Sequence, residues 1–268
     1  MMKVNGKVIV VTGAGSGMGR QLTMELIKRG ASVAAVDMRP ETLEETKKLA
    51  TATGGKVETF VLDISDDKKV LALPAQVESK LGHVDALINN AGIIQPFVPI
   101  NELTVEAAAK VMAVNFHGPL MLTKAFLPGL LKRPVAHILN VSSMGAYAPV
   151  PGQSVYGASK AAIKLFTEGL RSELMDTKVG VTVVFPGAIN TNIAANSGMA
   201  NPGGDDAAAA KFKMTEAPVA AKMMVDAIES NKPRLTIGQD ATSMDIMTRI
   251  NPVWAAGVIY KQMKSLLK

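Results

Sequence analysis

Short apolar runs rich in valine and isoleucine alternate with longer segments of helical periodicity along this chain. Runs of this length, bounded by turn residues, are typical of strands that are buried on both faces. Their alternation with helices predicts βαβ units and a parallel sheet, because parallel strands need long crossover connections. The predicted strands are residues 7–12, 32–37, 57–63, 86–89, 136–142, 181–185 and 234–237. The predicted helices are residues 18–29, 40–50, 66–80, 105–131, 155–175 and 218–230.

The composition fits one compact α/β domain that spans residues 1–268. Because 48% of the residues are apolar and only 19% are charged, an intrinsically disordered chain is excluded. The chain has no cysteine, which excludes disulfide scaffolds and cysteine-ligated metals, and the spacing of its histidines indicates no metal site. Two segments stand apart: residues 188–216, interpreted as a substrate loop, and a C-terminal tail, residues 244–268.

The net charge of +6 is compatible with an anionic partner such as nucleic acid, phospholipid or an acidic carrier protein. The basic residues are scattered, however, and no segment interleaves them with aromatic residues as a single-strand binder would. We therefore predict no nucleic-acid partner and interpret the charge as ordinary surface charge. The sequence shows neither a signal peptide nor a transmembrane stretch, so we expect a cytoplasmic protein.

A glycine-rich turn follows the first predicted strand and precedes a helix. It contains Gly13, Ser16, Gly17, Met18 and Gly19. Glycines let a backbone approach phosphates closely, and the free N–H groups and dipole of a helix N-terminus attract negative charge. The turn therefore predicts pyrophosphate binding. It also predicts a single Rossmann-type, doubly wound parallel sheet of about seven strands, flanked by helices and followed by a C-terminal extension.

Asp37 ends the second predicted strand, about 20 residues after Gly19, which is the spacing at which an acidic residue binds the adenosine ribose. Its charge would repel a 2′-phosphate, so we predict NAD as the cofactor and NADP as less favoured. Arg39 is a competing feature, because a guanidinium group binds phosphate. Since Met38 and Ser16 are neutral, we predict no basic cluster there. A turn or helix-cap role is the alternative for Asp37.

Two further turns follow strands of the predicted cofactor half. Asp63 and Ile64 follow the third strand; the carboxylate would either accept a hydrogen bond from an adenine amino group or cap the next helix, and both alternatives stay open. Asn90, Ala91 and Gly92 follow the fourth strand, where amides and a glycine suit a tight turn packed against a ribose. An ordinary turn is the alternative there.

Tyr156 and Lys160 lie four residues apart within a predicted helix, so they share one helix face. A free tyrosine has a pKa of about 10, too high for a base at neutral pH. A nearby ammonium group favours tyrosinate and should lower the pKa of Tyr156. The pair would then exchange a proton with a carbonyl or alcohol oxygen. Ser143 follows the fifth strand, at the sheet edge where the glycine-rich turn also lies.

The ordered set of Thr12 to Gly19, Asn89 to Gly92, Ser143, Tyr156-x-x-x-Lys160 and Pro186-Gly187 resembles the short-chain dehydrogenases/reductases over about residues 5–240. The resemblance implies that Tyr156 is the general acid/base and that Lys160 binds the nicotinamide ribose. It implies that Ser143 binds the substrate oxygen.

The same resemblance assigns roles to residues that the patterns alone leave open. Asn115 would hold a water molecule that links Lys160 to a proton relay. Pro186 and Gly187 would shape the face of the nicotinamide ring, and Ile189 and Thr191 would contact its carboxamide and the phosphates. The resemblance also implies an oligomer, a homotetramer or homodimer, built from the helices at 105–131 and 155–175.

The expected activity is NAD-dependent interconversion of a secondary alcohol and a ketone. Segments 192–200 and 212–215 are small and methionine-rich, which suits a lipophilic substrate. An NADPH-dependent 3-oxoacyl-thioester reductase is the alternative, and a nucleotide-binding protein without turnover is a third. The tail fits a basic amphipathic helix that covers the pocket, docks on a neighbouring subunit or touches a membrane; we favour docking on protein over membrane contact.

Overall fold

The computed structural model describes residues 1–191, 193, 197 and 214–267. Within this part of the chain, nine strands are found, and seven of them form one parallel sheet in the order β3-β2-β1-β4-β5-β6-β9, while β7 pairs with β8. The strands are β1 (Val8–Thr12), β2 (Ser32–Asp37), β3 (Val57–Val61), β4 (Ala86–Asn89), β5 (Ala136–Val141), β6 (Val179–Pro186), β7 (Ile189–Asn190), β8 (Thr215–Glu216) and β9 (Arg234–Ile237).

The helices of the described residues cover both faces of the sheet. They are α1 (Gly17–Lys28), α2 (Pro40–Ala52), α3 (Asp67–Leu81), α4 (Val105–Met112), α5 (Gly118–Leu130), α6 (Ser154–Glu173), α7 (Ala217–Glu229), α8 (Gln239–Ile250) and α9 (Pro252–Met263). A π-helical turn, Ala113–His117, joins α4 to α5, and short 3₁₀ turns lie at Met144–Ala146 and Lys264–Leu266.

Alternate residues of the strands pack into two separate hydrophobic layers. In β1, Ile9 and Val11 belong to a cluster with residues of α1 and α7, whereas Val8 and Val10 belong to a cluster with residues of α3, α5 and α6. This follows from the period of two in a strand, which turns successive side chains to opposite faces. Both faces of the sheet are therefore mostly apolar.

The direction of strand addition reverses between β1 and β4. The chain builds β1, β2 and β3 toward one side, then crosses back to place β4 beside β1 and to extend toward β9. In such sheets, ligands bind in the crevice at the carboxyl ends of the strands where the order reverses. The glycine-rich turn after β1 and the Asn-Asn-Ala-Gly turn after β4 both lie at this point.

The predicted α/β fold with about seven parallel strands is confirmed, and the differences are local. The helix predicted at 105–131 contains the π-helical turn, Ala113–His117. Strand β3 ends at Val61 rather than at residue 63, because the Asp63 carboxylate accepts hydrogen bonds from the Ser65 amide and hydroxyl and turns the chain. Of the predicted substrate loop, residues 192, 194–196 and 198–213 lie outside the described residues.

The tail forms two helices, α8 and α9, that pack on the body of the protein. Ile259 of α9 and Met244 of α8 are buried together with Ala148. The tail therefore packs on the body of the chain, whereas docking on a neighbouring subunit stays a prediction. None of the helices in the described ranges is long and apolar enough to cross a membrane.

His137 is buried in β5, where its Nε2 lies 2.8 Å from the Thr182 hydroxyl oxygen. That hydroxyl donates its own proton to the carbonyl of Lys232, so the Nε2–H of His137 must donate to the Thr182 oxygen. Burial, with a smaller contribution from the Arg171 charge, lowers the pKa of His137 to about 3. The imidazole is therefore neutral in the folded protein at pH values where an unfolded chain is protonated.

We expect the stability that depends on this neutral imidazole to be present above the ordinary pKa of histidine, 6.5, and to decline as the pH falls toward 3. The decline should be about 1.4 kcal/mol in unfolding free energy per pH unit. Urea unfolding of the wild type and of His137→Gln between pH 7 and 5 measures this decline. The difference in unfolding free energy between the two proteins should narrow as the pH falls. A constant difference over that range would contradict the assignment.

Candidate active site

The glycine-rich turn places the N-terminus of α1 at the carboxyl end of β1. Gly13 and Gly17 have positive φ angles of 68° and 50°, a region that favours glycine. Helix α1 begins at Gly17, its next residues are Met18 and Gly19, and its first turn carries no acidic side chain. The positive end of the helix dipole therefore faces the crevice without a competing carboxylate, as an anion site requires.

Close contacts around the turn show why side chains are excluded there. A Cβ atom on Gly13 would lie 3.0 Å from the Cα of Ala91, and one on Gly15 would lie 2.9 Å from the Asp37 carboxylate. A Cβ on Gly19 would overlap the carbonyl of Gly13. The turn is a cradle of bare backbone, and it fits the pyrophosphate of a dinucleotide.

The carboxylate of Asp37 reaches back to the glycine-rich turn. One oxygen accepts a hydrogen bond from the Gly15 amide at 3.0 Å, and the other accepts one from the Arg39 amide at 3.1 Å. The N-terminal cap of α2 is Arg39, so the helix-cap alternative for Asp37 is wrong. Asp37 is buried and holds its charge at the rim where a ribose would lie.

Arg39, the competing feature noted in the sequence, also reaches this rim. Its Nη2 donates to the Ser16 hydroxyl at 3.1 Å, and its Nε lies 3.6 Å from the Asp37 carboxylate. One anion, Asp37, and one cation, Arg39, therefore lie side by side at this rim. The sequence separation between Ser16 and Arg39 concealed this contact.

Arg20 is a further residue that sequence reasoning missed. Its guanidinium group donates twice to the carbonyl of Gly15, at 2.6 and 3.1 Å, and pairs with Glu45 of α2. These bonds satisfy the Gly15 carbonyl within the protein and join the glycine-rich turn to α2. Its position directly after the last glycine of the turn was the available indication.

Asp63 and Ile64 lie at the next turn along the sheet edge. Asp63 is exposed and its carboxylate bonds to Ser65, whereas Asp66 caps α3 by accepting from the Lys69 amide. The capping alternative for Asp63 is therefore wrong, because Asp66 takes that position. Ile64 is buried beside Gly118. Contact of Asp63 with an adenine stays a prediction.

The turn after β4 is joined to β1 by the hydroxyl of Thr12. That oxygen accepts hydrogen bonds from the Asn90 and Ala91 amides, both at 3.0 Å, and the Asn90 side chain donates to the carbonyl of Thr12. The Oδ1 of Asn90 is buried and has no partner among the described residues. A buried acceptor of this kind fits a hydroxyl or amide donor of a bound dinucleotide.

Tyr156 lies in the first turn of α6 and Lys160 one turn further on. The Nζ of Lys160 donates to the carbonyl of Val141 at 3.0 Å and lies 5.9 Å from the centre of the Tyr156 ring. A Cβ on Gly92 would lie 3.2 Å from this Nζ, so the Asn-Asn-Ala-Gly turn packs directly on the ammonium group. Burial lowers the pKa of Lys160 to about 8.

The pKa of Tyr156 shifts in the direction opposite to the one predicted. Burial raises the pKa of Tyr156, and its hydrogen bond with the Ser143 hydroxyl acts in the opposite sense. We expected Lys160 to lower this pKa, but desolvation of the phenolate is the larger effect. Ser143 itself follows β5 and caps the 3₁₀ turn at Met144–Ala146, so its hydroxyl is held beside the phenol.

Asn115 lies within the π-helical turn between α4 and α5. Its Oδ1 accepts from the Ile93 amide, while its Nδ2 donates to the Ile93 carbonyl at 2.9 Å and to the Ser159 hydroxyl at 3.0 Å. A π turn widens the helix by one residue and is frequent at functional sites. Asn115 therefore joins the turn after β4 to helix α6 beside Tyr156 and Lys160.

The segment after β6 completes the crevice. The amide of Ala188 donates to the Asp240 carboxylate, and this carboxylate fills the space where a side chain on Gly187 would lie. Ile189 packs on the hydrophobic layer of α1, and Thr191 lies beside Gly17 at the glycine-rich turn. Pro186 ends β6 next to them. Of the four predicted residues of this segment, Thr191 is the one that a described contact places at the glycine-rich turn.

A cavity of about 660 Å³ opens beside the catalytic side chains. Ser143 and Tyr156 line it at one end, and most of its wall is apolar, including Phe97, Met144 and Met263. No charged side chain lines it among the residues that the structure describes. Met263 comes from α9, so the C-terminal tail forms part of the wall.

A family model of short-chain dehydrogenases matches residues 7–201, which cover most of the chain. The chain belongs to the short-chain dehydrogenase family. SadH of Mycobacterium tuberculosis, named as an oxidoreductase, is 36% identical over 257 residues, covering 93% of this chain and 92% of SadH. Family membership makes the protein an NAD(P)-dependent oxidoreductase.

Solved short-chain dehydrogenases share the fold over nearly their whole length. One from Burkholderia phymatum in complex with NAD is 26% identical, with a TM-score of 0.84 over 94% of this chain and 95% of its own. Another from Burkholderia cenocepacia in complex with NADP is 28% identical, with a TM-score of 0.80 over 96% and 99% of the two chains. The fold of this dehydrogenase is therefore compatible with either cofactor.

In this dehydrogenase, Asn115 acts as a clamp whose loss should be visible in stability. Asn115→Ala leaves the amide and carbonyl of Ile93 without their side-chain partner, and such unpaired groups each cost about 1–3 kcal/mol. We expect the unfolding free energy to fall by about that amount in urea unfolding. The matched control is Asn101→Ala at an exposed turn, which should change it by less than about 0.5 kcal/mol. Equal stability of the two variants would contradict the clamp.

Proposed function

We propose that this short-chain dehydrogenase interconverts an apolar secondary alcohol and the corresponding ketone, with NAD as its cofactor. The observation that carries the proposal is the uncharged cavity that has Ser143 and Tyr156 at one end. The same end lies beside Lys160 and the Asn-Asn-Ala-Gly turn, where the glycine-rich cradle begins. An uncharged, mostly apolar wall favours a lipophilic substrate over a sugar or a phosphate ester.

The chain's own residues divide the work at the reacting oxygen. The Ser143 hydroxyl and the Tyr156 phenol are adjacent, so both can hydrogen-bond one carbonyl or alcohol oxygen. The raised pKa keeps the phenol protonated at neutral pH, which suits proton donation to a carbonyl. In the reverse direction, the Lys160 ammonium favours the phenolate that must form. When bound, the nicotinamide supplies or accepts the hydride.

The proposed residues that hold the cofactor follow the carboxyl edge of the sheet. The amides of Gly13 to Gly19 would bind the pyrophosphate, Asp37 a ribose, and Asn90 and Lys160 the nicotinamide half. The fit is supported by the bare backbone of the turn and by the buried, unpaired Oδ1 of Asn90 within the described part of the chain.

Replacement of the proposed acid/base tests the reaction. Tyr156→Phe retains the ring but removes the proton donor, and we expect kcat/KM for alcohols and ketones to fall by about 10²- to 10⁴-fold. Tyr260→Phe is the matched control, because Tyr260 is exposed on α9 and should leave turnover unchanged. Nicotinamide absorbance measures both. Wild-type rates in Tyr156→Phe would rule out the acid/base role.

The proposed preference for NAD depends on the balance between Asp37 and Arg39. Asp37 is buried and would lie close to a 2′-phosphate, so its repulsion is weakly screened. Arg39 is more exposed, and its guanidinium group already contacts Ser16 and Asp37. We therefore assign the larger effect to the carboxylate.

Removal of the Asp37 charge should shift this preference toward NADP. Asp37→Asn retains an oxygen acceptor for the Gly15 amide but carries no charge, so we expect the ratio of kcat/KM for NADP to that for NAD to rise at least about tenfold. Arg39→Gln should lower the same ratio.

Glu41→Gln removes one exposed negative charge from α2 and is the control that should leave the cofactor ratio unchanged. A wild type that uses NADP as well as NAD, or a ratio that does not respond to Asp37→Asn, would contradict the role given to Asp37.

The second candidate function is an NADPH-dependent 3-oxoacyl-thioester reductase. The contact between Arg39 and Ser16 favours it, because this guanidinium group lies where a 2′-phosphate would be bound. The net charge of +6 would also suit an acidic carrier protein. The cofactor ratio separates the two candidates, since only this one requires a preference for NADPH.

We also propose a homotetramer or homodimer in the cytoplasm. Large apolar side chains are exposed on the helices expected at the interface, including Val105 on α4, Leu131 after α5 and Leu165 on α6. Exposed apolar residues of this size on neighbouring elements favour a subunit contact.

A further inference from the structure

Gln153 carries a buried hydrogen-bond acceptor beside the catalytic tyrosine. The residue lies at the N-terminal cap of α6, is 4% exposed and lines the cavity that Ser143 and Tyr156 also line. Its Oε1 is buried and has no hydrogen-bond partner in the described residues. Native proteins rarely leave a buried acceptor unpaired, so we expect a ligand to donate a hydrogen bond to this atom.

The orientation of the Gln153 amide is set by a neighbouring glutamine. The Nε2 of Gln153 donates to the backbone carbonyl of Gln95 at 2.8 Å, which distinguishes the amide nitrogen from the oxygen. Rotation of the amide would place an oxygen against that carbonyl and lose this bond. The free position is therefore an acceptor, which selects a donor from the ligand.

Gln95 itself is held by two further bonds. Its Oε1 accepts from the Tyr156 amide at 2.8 Å, and its Nε2 donates to the Gly152 carbonyl at 2.9 Å. The two glutamines thus connect the segment after β4 to the first turn of α6. These hydrogen bonds fix the side chain of Gln153 relative to Tyr156, which lies three residues further along the chain.

We propose that Gln153 is a specificity-determining residue that accepts a hydrogen bond from a donor group on the substrate, a second hydroxyl or an amide N–H. This inference rests on the proposed function and names its substrate class more closely. Because Gln153 precedes Tyr156 by three residues and both line the same cavity, one substrate can contact both side chains. The apolar wall around Phe97 and Met263 receives the rest of the molecule.

Other polar side chains of the cavity do not offer the same acceptor. Ser143 and Tyr156 are used by the reacting oxygen. The hydroxyl of Thr248 differs from the Oε1 of Gln153 in having a hydrogen-bond partner, the Met244 carbonyl at 2.8 Å. Ser154 is exposed at the start of α6, where water satisfies it.

Matched substrate pairs test the proposal. Methyl ketones that carry a terminal hydroxyl on chains of increasing length are compared with the methyl ethers of the same compounds, which cannot donate. For the wild type we expect kcat/KM to favour the hydroxyl compound by at least about tenfold at the best chain length. In Gln153→Met, which has similar length but no acceptor, the ratio should fall to about one.

Two variants complete the design. Gln153→Leu is a second variant without an acceptor, in which the ratio should also fall to about one, and it serves if Gln153→Met does not fold by circular dichroism. Thr248→Val removes a hydroxyl from the same cavity and should leave the ratio of hydroxyl to ether unchanged.

Equal kcat/KM for hydroxyl and ether at every chain length in the wild type would overturn the proposal, and so would a preference that persists in Gln153→Met. Calorimetric titration of the same pairs reports the preference as a ratio of dissociation constants without turnover. If hydroxyl compounds bind more tightly through Gln153 but no ketone or alcohol is turned over, the proposed reaction fails while the role of Gln153 stands.

Discussion

The close approach of two turns at the carboxyl edge of the sheet is the constraint on which the site depends. The hydroxyl of Thr12 accepts hydrogen bonds from the amides of Asn90 and Ala91, and the Thr12 carbonyl accepts one from the Asn90 side chain. The backbone of Gly13 then lies so near Ala91 that a Cβ would be at 3.0 Å from its Cα. These contacts join β1 to β4 where the strand order reverses, and so they define the crevice for the dinucleotide.

Hydrogen bonds also join helix α6, which carries Tyr156 and Lys160, to the segment that follows β4. Asn115 clamps the backbone of Ile93 and reaches Ser159, Gln95 holds the amide of Tyr156, and Lys160 is bonded to the carbonyl of Val141. These bonds join the segment after β4, the π-helical turn and the end of β5, and all but the one between Asn115 and Ile93 reach helix α6. The phenol and the ammonium group are therefore positioned by buried polar bonds between separate elements, and their desolvation is what shifts both pKa values.

Much of this arrangement could be predicted from local patterns. The parallel sheet, the glycine-rich turn at Gly13 to Gly19 and the shared helix face of Tyr156 and Lys160 each follow from periodicity or short spacing. What could not be predicted depends on contacts between distant segments: Arg39 on Ser16, Arg20 on Glu45 and the glutamine pair beside Tyr156.

The upward shift of the Tyr156 pKa could not be predicted either, because burial cannot be deduced from the separation of Tyr156 and Lys160 in sequence. The tail is a related case. Its amphipathic pattern allowed three partners, and only the packed structure places Met263 on the wall of the cavity.

The central claim is that one edge of the sheet brings a nicotinamide ring and an alcohol carbon into contact. Its most direct test follows a deuterium label from the carbinol carbon of the secondary alcohol that the enzyme oxidises fastest, in the presence of NAD. The account predicts that mass spectrometry and NMR find the deuterium on C4 of the reduced nicotinamide, on one face of the ring, in proportion to ketone formed. Deuterium released to water, or ketone formed without labelled NADH, would contradict it.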